Sequence, residues 1–177
     1  MKNILNYAKA VGFDACAVTQ TSQIPFDPTL IKYCQENLCG RYGANYMCPP
    51  NCGTFDQMRN KIASRKQAVV VQSIFDGLNF ADKQSVQQAK QAHLSRLYSL
   101  CDYVRKAGIE PLVVGATGCE LCSPCKLVLN QPCAHPDQVF SCTSAYGIDV
   151  AQLAKDCNLV YQWQDGKLFL FGLLVLD

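Results

Sequence analysis

Apolar positions recur along the chain with two periods, and the changes between them mark out the elements. Ile4, Leu5, Ala8 and Val11 share one helical face between Asn3 and Val11, with Gly12 as the stop. Phe13 to Thr19 reads as a small strand, and the polar, proline-broken stretch Gln20 to Thr29 as a loop. Thr54 and Gln57 have the spacing of a capping box, which opens a helix whose apolar face is Phe55, Met58 and Ile62. Gln67 to Phe75, carrying Val69-Val70-Val71 and Ile74, is a strand. From Asp82 to Ala107, Val86, Ala89, His93, Leu97, Leu100 and Val104 fall at helical spacing, which predicts a long helix stopped by Gly108. His93 on that stripe is expected to be a helix-edge histidine rather than a ligand, and Cys101 falls beside it.

Ile109 to Gly115 is another strand, and Ile148 to Cys157 another helix with Val150, Leu153, Ala154 and Cys157 on one side. Leu159 to Trp163 and Lys167 to Leu176 flank an Asp165-Gly166 turn, a hairpin pattern. The run Leu168 to Leu176 is nearly all apolar, as in a strand buried on both faces, with Gly172 as an expected bulge. The order of elements predicts an α/β fold: a mixed sheet flanked by helices, in one metal-binding domain over residues 1–177, with two cysteine-rich loops projecting from it.

Those two loops follow neither period. In Gly118-Cys119-Glu120-Leu121-Cys122-Ser123-Pro124-Cys125, three cysteines fall at i, i+3 and i+6, and Cys133 follows. Packing does not call for such a comb. A C-x2-C-x2-C run wraps short turns around an inorganic core and aims three thiolates at it, as in ferredoxin-type [4Fe–4S] sites, with a more distant cysteine completing the set. Zinc sites more often use two separated C-x2-C pairs. The comb follows directly on a strand's carboxyl end, where α/β proteins keep their chemistry. The other group is Cys34, Cys39, Cys48 and Cys52, among Gly40, Gly43, Pro49, Pro50 and Gly53. These glycines and prolines forbid a regular element, so a metal cluster would hold the backbone there; a loop of reduced, unliganded thiols is the alternative.

Composition sharpens this picture in two respects. Twelve cysteines in 177 residues suggest a disulfide framework in a secreted chain, but Met1-Lys2-Asn3-Ile4-Leu5 runs straight into polar sequence without an apolar signal core. No run reaches the length of about 20 apolar residues that spans a bilayer. The expectation is therefore a cytoplasmic protein of a cell with little oxygen, its clustered thiols reduced and metal-binding. A net charge of +2 gives no sign of nucleic acid or an anionic membrane as partner. Cys16 and Cys157 are expected as small hydrophobes of the core.

Cys34-x4-Cys39-x2-Tyr42-Gly43-x4-Cys48-Pro49-Pro50, the Cys119 to Cys133 comb and Ala145-Tyr146-Gly147-Ile148-Asp149-Val150 together resemble a known family. It is a group of small cysteine-rich, predicted metal-binding proteins of anaerobic bacteria and archaea, catalogued as a domain of unknown function. The resemblance implies metal binding, with iron–sulfur as the expected form, and no particular reaction. This chain departs from the pattern at Cys142-Thr143-Ser144, where Ser-x-Glu is expected, and at Ala134-His135, where an arginine often follows the last cysteine. The first departure leaves Cys142 as a possible extra thiol near the site.

Eight thiolates fit two [4Fe–4S] clusters, one on Cys119, Cys122, Cys125 and Cys133, the other on Cys34, Cys39, Cys48 and Cys52. The expected role is electron transfer to and from a redox partner protein. An alternative is an enzyme in which Cys52 or Cys133 is not a ligand and one iron stays open to a small-molecule substrate. Arg41, Tyr42, Lys126 and His135 would then stand at the cofactor, orienting an anion or moving a proton; otherwise Arg41 and Lys126 balance cluster charge, Tyr42 packs and His135 is a turn residue. A third reading is a module closed by structural zinc. There is no P-loop and no dinucleotide fingerprint, and two histidines exclude a multi-histidine metal site.

Overall fold

A computed structural model describes residues 1–177. The helices are α1 (Lys2–Ala10), α2 (Lys32–Gln35), α3 (Phe55–Ala63), α4 (Lys83–Lys106), α5 (Thr143–Tyr146) and α6 (Val150–Asp156). The strands are β1 (Ala15–Gln20), β2 (Gln67–Phe75), β3 (Leu112–Gly115), β4 (Ser141–Cys142) and β5 (Leu168–Leu176). They form one five-stranded sheet in the order β1-β2-β5-β3-β4. All neighbours are antiparallel except β3 and β4, which run parallel. The sheet is thus mixed and flanked by helices, as the pattern predicts.

Alternation along the central strands sorts the core into two layers. Val69 and Val71 of β2 and Leu174 and Leu176 of β5 face α1 and α4, where they meet Ile4, Ala8, Leu97, Leu100 and Val104. Ala68 and Val70 of β2 and Phe171, Leu173 and Val175 of β5 face the other way, onto Met58, Ile62, Leu153 and Ala154 of α3 and α6. Burial from Leu170 to Leu176 is continuous, as the apolar run requires. Local signals set the helix starts: Thr54 and Gln57 make the reciprocal capping box, and the Asp82 carboxylate caps α4 through the Gln84 N–H at 3.0 Å.

Four expectations are corrected by the structure. Leu159 to Trp163 is not a strand, because both edges of β5 are taken by the distant strands β2 and β3. The Asp165-Gly166 turn does form, but Gly166 accepts from the Leu78 N–H at 2.9 Å instead of closing a hairpin. Gly172 is not a bulge: it stays in register opposite Val71. A Cβ there would lie 3.1 Å from Leu97 Cδ1 and 3.3 Å from the Val114 carbonyl, so glycine lets α4 sit down on the sheet. His93 is no helix-edge residue: only 2% exposed, it meets Ser73 Oγ at 2.9 Å and the Phe13 ring edge-on. The strand expected from Ile109 begins only at Leu112, after Pro111, which has no N–H for a ladder.

No helix is long and apolar enough to cross a membrane. β3 and β4 end level with each other, Gly115 opposite Cys142, so the comb leaves the sheet beside the residue that closes β4.

Candidate metal centre

The two cysteine loops do not project separately; they dock on each other. Arg41, from the first loop, donates to the Cys119 carbonyl at 2.6 Å and to Glu120 Oε1 at 3.0 Å. Asn45, 3% exposed, donates to the same Cys119 carbonyl at 3.0 Å while its Oδ1 accepts from the Met47 N–H at 2.9 Å. The Tyr46 hydroxyl donates to the Gln131 carbonyl at 2.7 Å. Glu120 is held from a second side by Gln87 Nε2 of α4 at 2.7 Å. Sequence reasoning missed Asn45, Glu120 and Gln87, since nothing in their spacing marks a carboxylate or amide as a clamp between loops.

The comb folds as a pocket. Cys119, Cys122, Cys125 and Cys133 line one small cavity, with Lys126 and His135 on its wall and Tyr46 and Met47 of the first loop across it. Burial pushes the Cys119 thiol up, and the charges of Cys133, Cys125 and Cys122 push it the same way, while the Leu121 N–H pulls it down. That mutual repulsion is what an inserted cation core would relieve. All four predicted ligands of this group come together.

The first group is arranged differently. Cys34, on α2, has Cys142, Cys48 and Cys39 around it, and its thiol is pushed up first by Cys142 and then by burial. The Cys142 thiol is drawn down by Cys34 and, against its burial, by the backbone at Ala145 and Ser144. Cys48 is pushed up to about 12 by burial and by Cys142, Cys39 and Cys52, with Arg41 pulling the other way. Cys39 is exposed. Cys52 belongs to the hydrophobic layer of Met58, Ile62 and Tyr146. Its thiol is raised by burial and neighbours Lys61, Cys142 and Ser141.

The remaining predicted residues are placed as follows. Arg41 spans the loops, half-buried; Lys126 and His135 stand at the comb's cavity. Tyr42 stays on the first loop, its N–H donating to Asn37 Oδ1 at 2.9 Å. Cys16, Cys101 and Cys157 lie outside both groups, packed with the two core layers. No three His, Cys, Asp or Glu side chains converge on one point as the ligands of a single ion do. Each group is gathered without being closed.

Comparison with known proteins adds a family and a distant likeness. The chain matches the family described as "Predicted metal-binding protein (DUF2284)" over residues 17–176. No curated protein matches it. Among solved structures it is similar, at a TM-score of 0.39 and 11% identity, to the crystal structure of epoxyqueuosine reductase with a tRNA-Tyr epoxyqueuosine-modified tRNA stem loop. The likeness covers 98% of this chain and 44% of that one, so the chain spans less than half the length of that protein. The expectation, drawn from net charge, that nucleic acid is no partner is withdrawn; the crystal structure just described holds a tRNA stem loop. A near-neutral total says nothing of local surface charge.

Proposed function

From the premise that the chain belongs to this family of predicted metal-binding proteins, we propose that it is an iron–sulfur protein with two four-iron clusters that exchanges single electrons. Cys119, Cys122, Cys125 and Cys133 would hold one cluster; Cys34, Cys39, Cys48 and one further thiolate would hold the other. The observation that carries the reading is the comb's cavity, lined by four thiols from a C-x2-C-x2-C run and its distant fourth member.

A further feature supports it. The docking of the loops suits electron exchange, because Gly118, beside Cys119, lies against the Cys48 sulfur. When bound, the clusters would supply one-electron chemistry. The chain's own residues hold the loops together through Arg41 and Asn45, set the Leu121 N–H beside Cys119 and enclose the comb behind Tyr46 and Met47.

The test is iron, acid-labile sulfide and zinc per chain in protein purified without oxygen. About eight irons with matching sulfide is the expected result. About four would remove one group from the assignment, and zinc in place of iron would overturn the redox reading.

A further inference from the structure

We propose, on the reading that the first group holds a four-iron cluster, that its fourth ligand is Cys142 and that Cys52 is a core residue. Three observations independent of the spacing of the loop lead there.

The fold brings Cys142 to Cys34 across 108 residues of sequence. Phe26 bridges Ile148, the Asp27 N–H donates to the Gly147 carbonyl at 2.8 Å, and the Asp149 N–H donates to the Pro25 carbonyl at 3.0 Å. These bonds tie the segment before α2 to the segment after Cys142 and leave the two cysteines side by side. Cys142 is also level with Gly115, from which the chain runs into the comb, so it stands on the side of the first group that faces the second.

Cys142 is placed as a ligand of this group would be. It is the residue that opens α5, α5 packs against α2, which carries Cys34, and Cys142 also neighbours Cys48.

Cys52 is furnished otherwise. Only 9% exposed, it is packed with Met58, Ile62 and Tyr146, and its sulfur lies 3.9 Å from the Gly53 carbonyl. It is near Cys48 and Cys142. Drawing it into the loop would take a side chain out of the core under α3.

The experiment is iron and sulfide analysis with electron paramagnetic resonance of the dithionite-reduced protein, prepared without oxygen as wild type, Cys142→Ala, Cys142→Ser, Cys52→Ala and Cys52→Ser. Wild type with both clusters is the reference. Cys142→Ala is expected to lose about half the iron and one of two signals, while Cys142→Ser, which keeps an oxygen ligand, retains the iron with an altered signal. Both Cys52 variants are expected to keep wild-type iron and wild-type signals, at lower stability. A wild-type spectrum in Cys142→Ser, unchanged iron in Cys142→Ala, or loss of the same iron in Cys52→Ala overturns the assignment and leaves the two-cluster reading standing. Wild-type protein free of iron overturns both.

Discussion

A Cβ placed on Gly118 would lie 3.0 Å from the Cys48 sulfur and 3.0 Å from Arg41 Cδ. The residue before the comb's first cysteine is therefore in contact with a cysteine of the other loop, and the absence of a side chain makes that contact possible. Arg41 is flexible and can yield; Cys48 is buried and fixed by the Asn45 turn, its N–H donating to the Asn45 carbonyl at 3.2 Å. Gly118→Ala is expected to cost about 1–3 kcal/mol of stability by overpacking, and Gly118→Val more. Anaerobic urea unfolding measures it. An unchanged midpoint for both variants would mean that the loops are not in contact at Gly118.

Arg41 should be replaceable by nothing shorter or rounder. Its two terminal nitrogens serve two acceptors on the other loop, the Cys119 carbonyl and the Glu120 carboxylate. An ammonium on a flexible stem cannot span both in one geometry. Arg41→Ala is expected to lose about 1–3 kcal/mol, and Arg41→Lys to recover less than half of it. Paired with Glu120→Gln, the Arg41 variants should show smaller losses than the sum of the single changes, because the two residues share a bond. Strict additivity in the unfolding free energies would sink the clamp.

Stability should fall in acid through His93. Burial is the chief cause that lowers its pKa to about 4, with the Arg96 guanidinium adding to it. Around the ring stand Ser73 of β2, Arg96 of α4 and, paired with Arg96 at 4.0 Å, Asp14. In the unfolded chain the imidazole takes its proton near 6.5. Above that pH it is neutral in both states and adds no slope. Below it the unfolded chain binds a proton that the folded one refuses, so stability declines as pH falls from 6.5 towards 4, by about 3 kcal/mol in full. His93→Gln keeps a hydrogen-bonding group for Ser73 and should flatten the wild-type slope between those pH values. Parallel slopes in the two proteins would refute it.

The contrast between His93 and the cysteines marks the limit of what the sequence could tell. Local signals were legible: the Thr54-Gln57 box, the Gly108 stop after α4 and the apolar run of β5 are each written in neighbouring residues. The comb was legible because one turn of chain supplies three of its thiols. What failed was set by distant chain. The hairpin expected at Asp165-Gly166 lost its partner edge to β3, which arrives from more than 50 residues earlier. β4 is two residues long and pairs only through β3, so no period reveals it. Cys142 stood out as an extra thiol, but its place beside Cys34 depends on that same strand. The depth of His93 follows from α4 lying close on the sheet at Gly172, which reads from sequence as a bulge.

On the iron–sulfur reading proposed above, removing the metal should release the loops and spare the sheet. Fifteen buried residues fill the layer under α3, α5 and α6, and thirteen the layer under α1 and α4. Of the nine cysteines in the two loops and at Cys142, Cys52 alone is a buried member of either layer and Cys142 packs against one, so the core is built without the other seven. The loops, by contrast, are held to each other mainly by Arg41, Asn45 and Tyr46. Thiolates left without metal would add repulsion inside each group. Treatment with a chelator under reducing conditions is therefore expected to leave the helix and strand circular dichroism within a small fraction of its starting value, while limited proteolysis begins to cut between residues 36 and 53 and between 118 and 136. A cooperative loss of the whole spectrum on chelation would show instead that metal binding and folding are one event, as in a zinc finger, and that two apolar layers of this size do not stand without it.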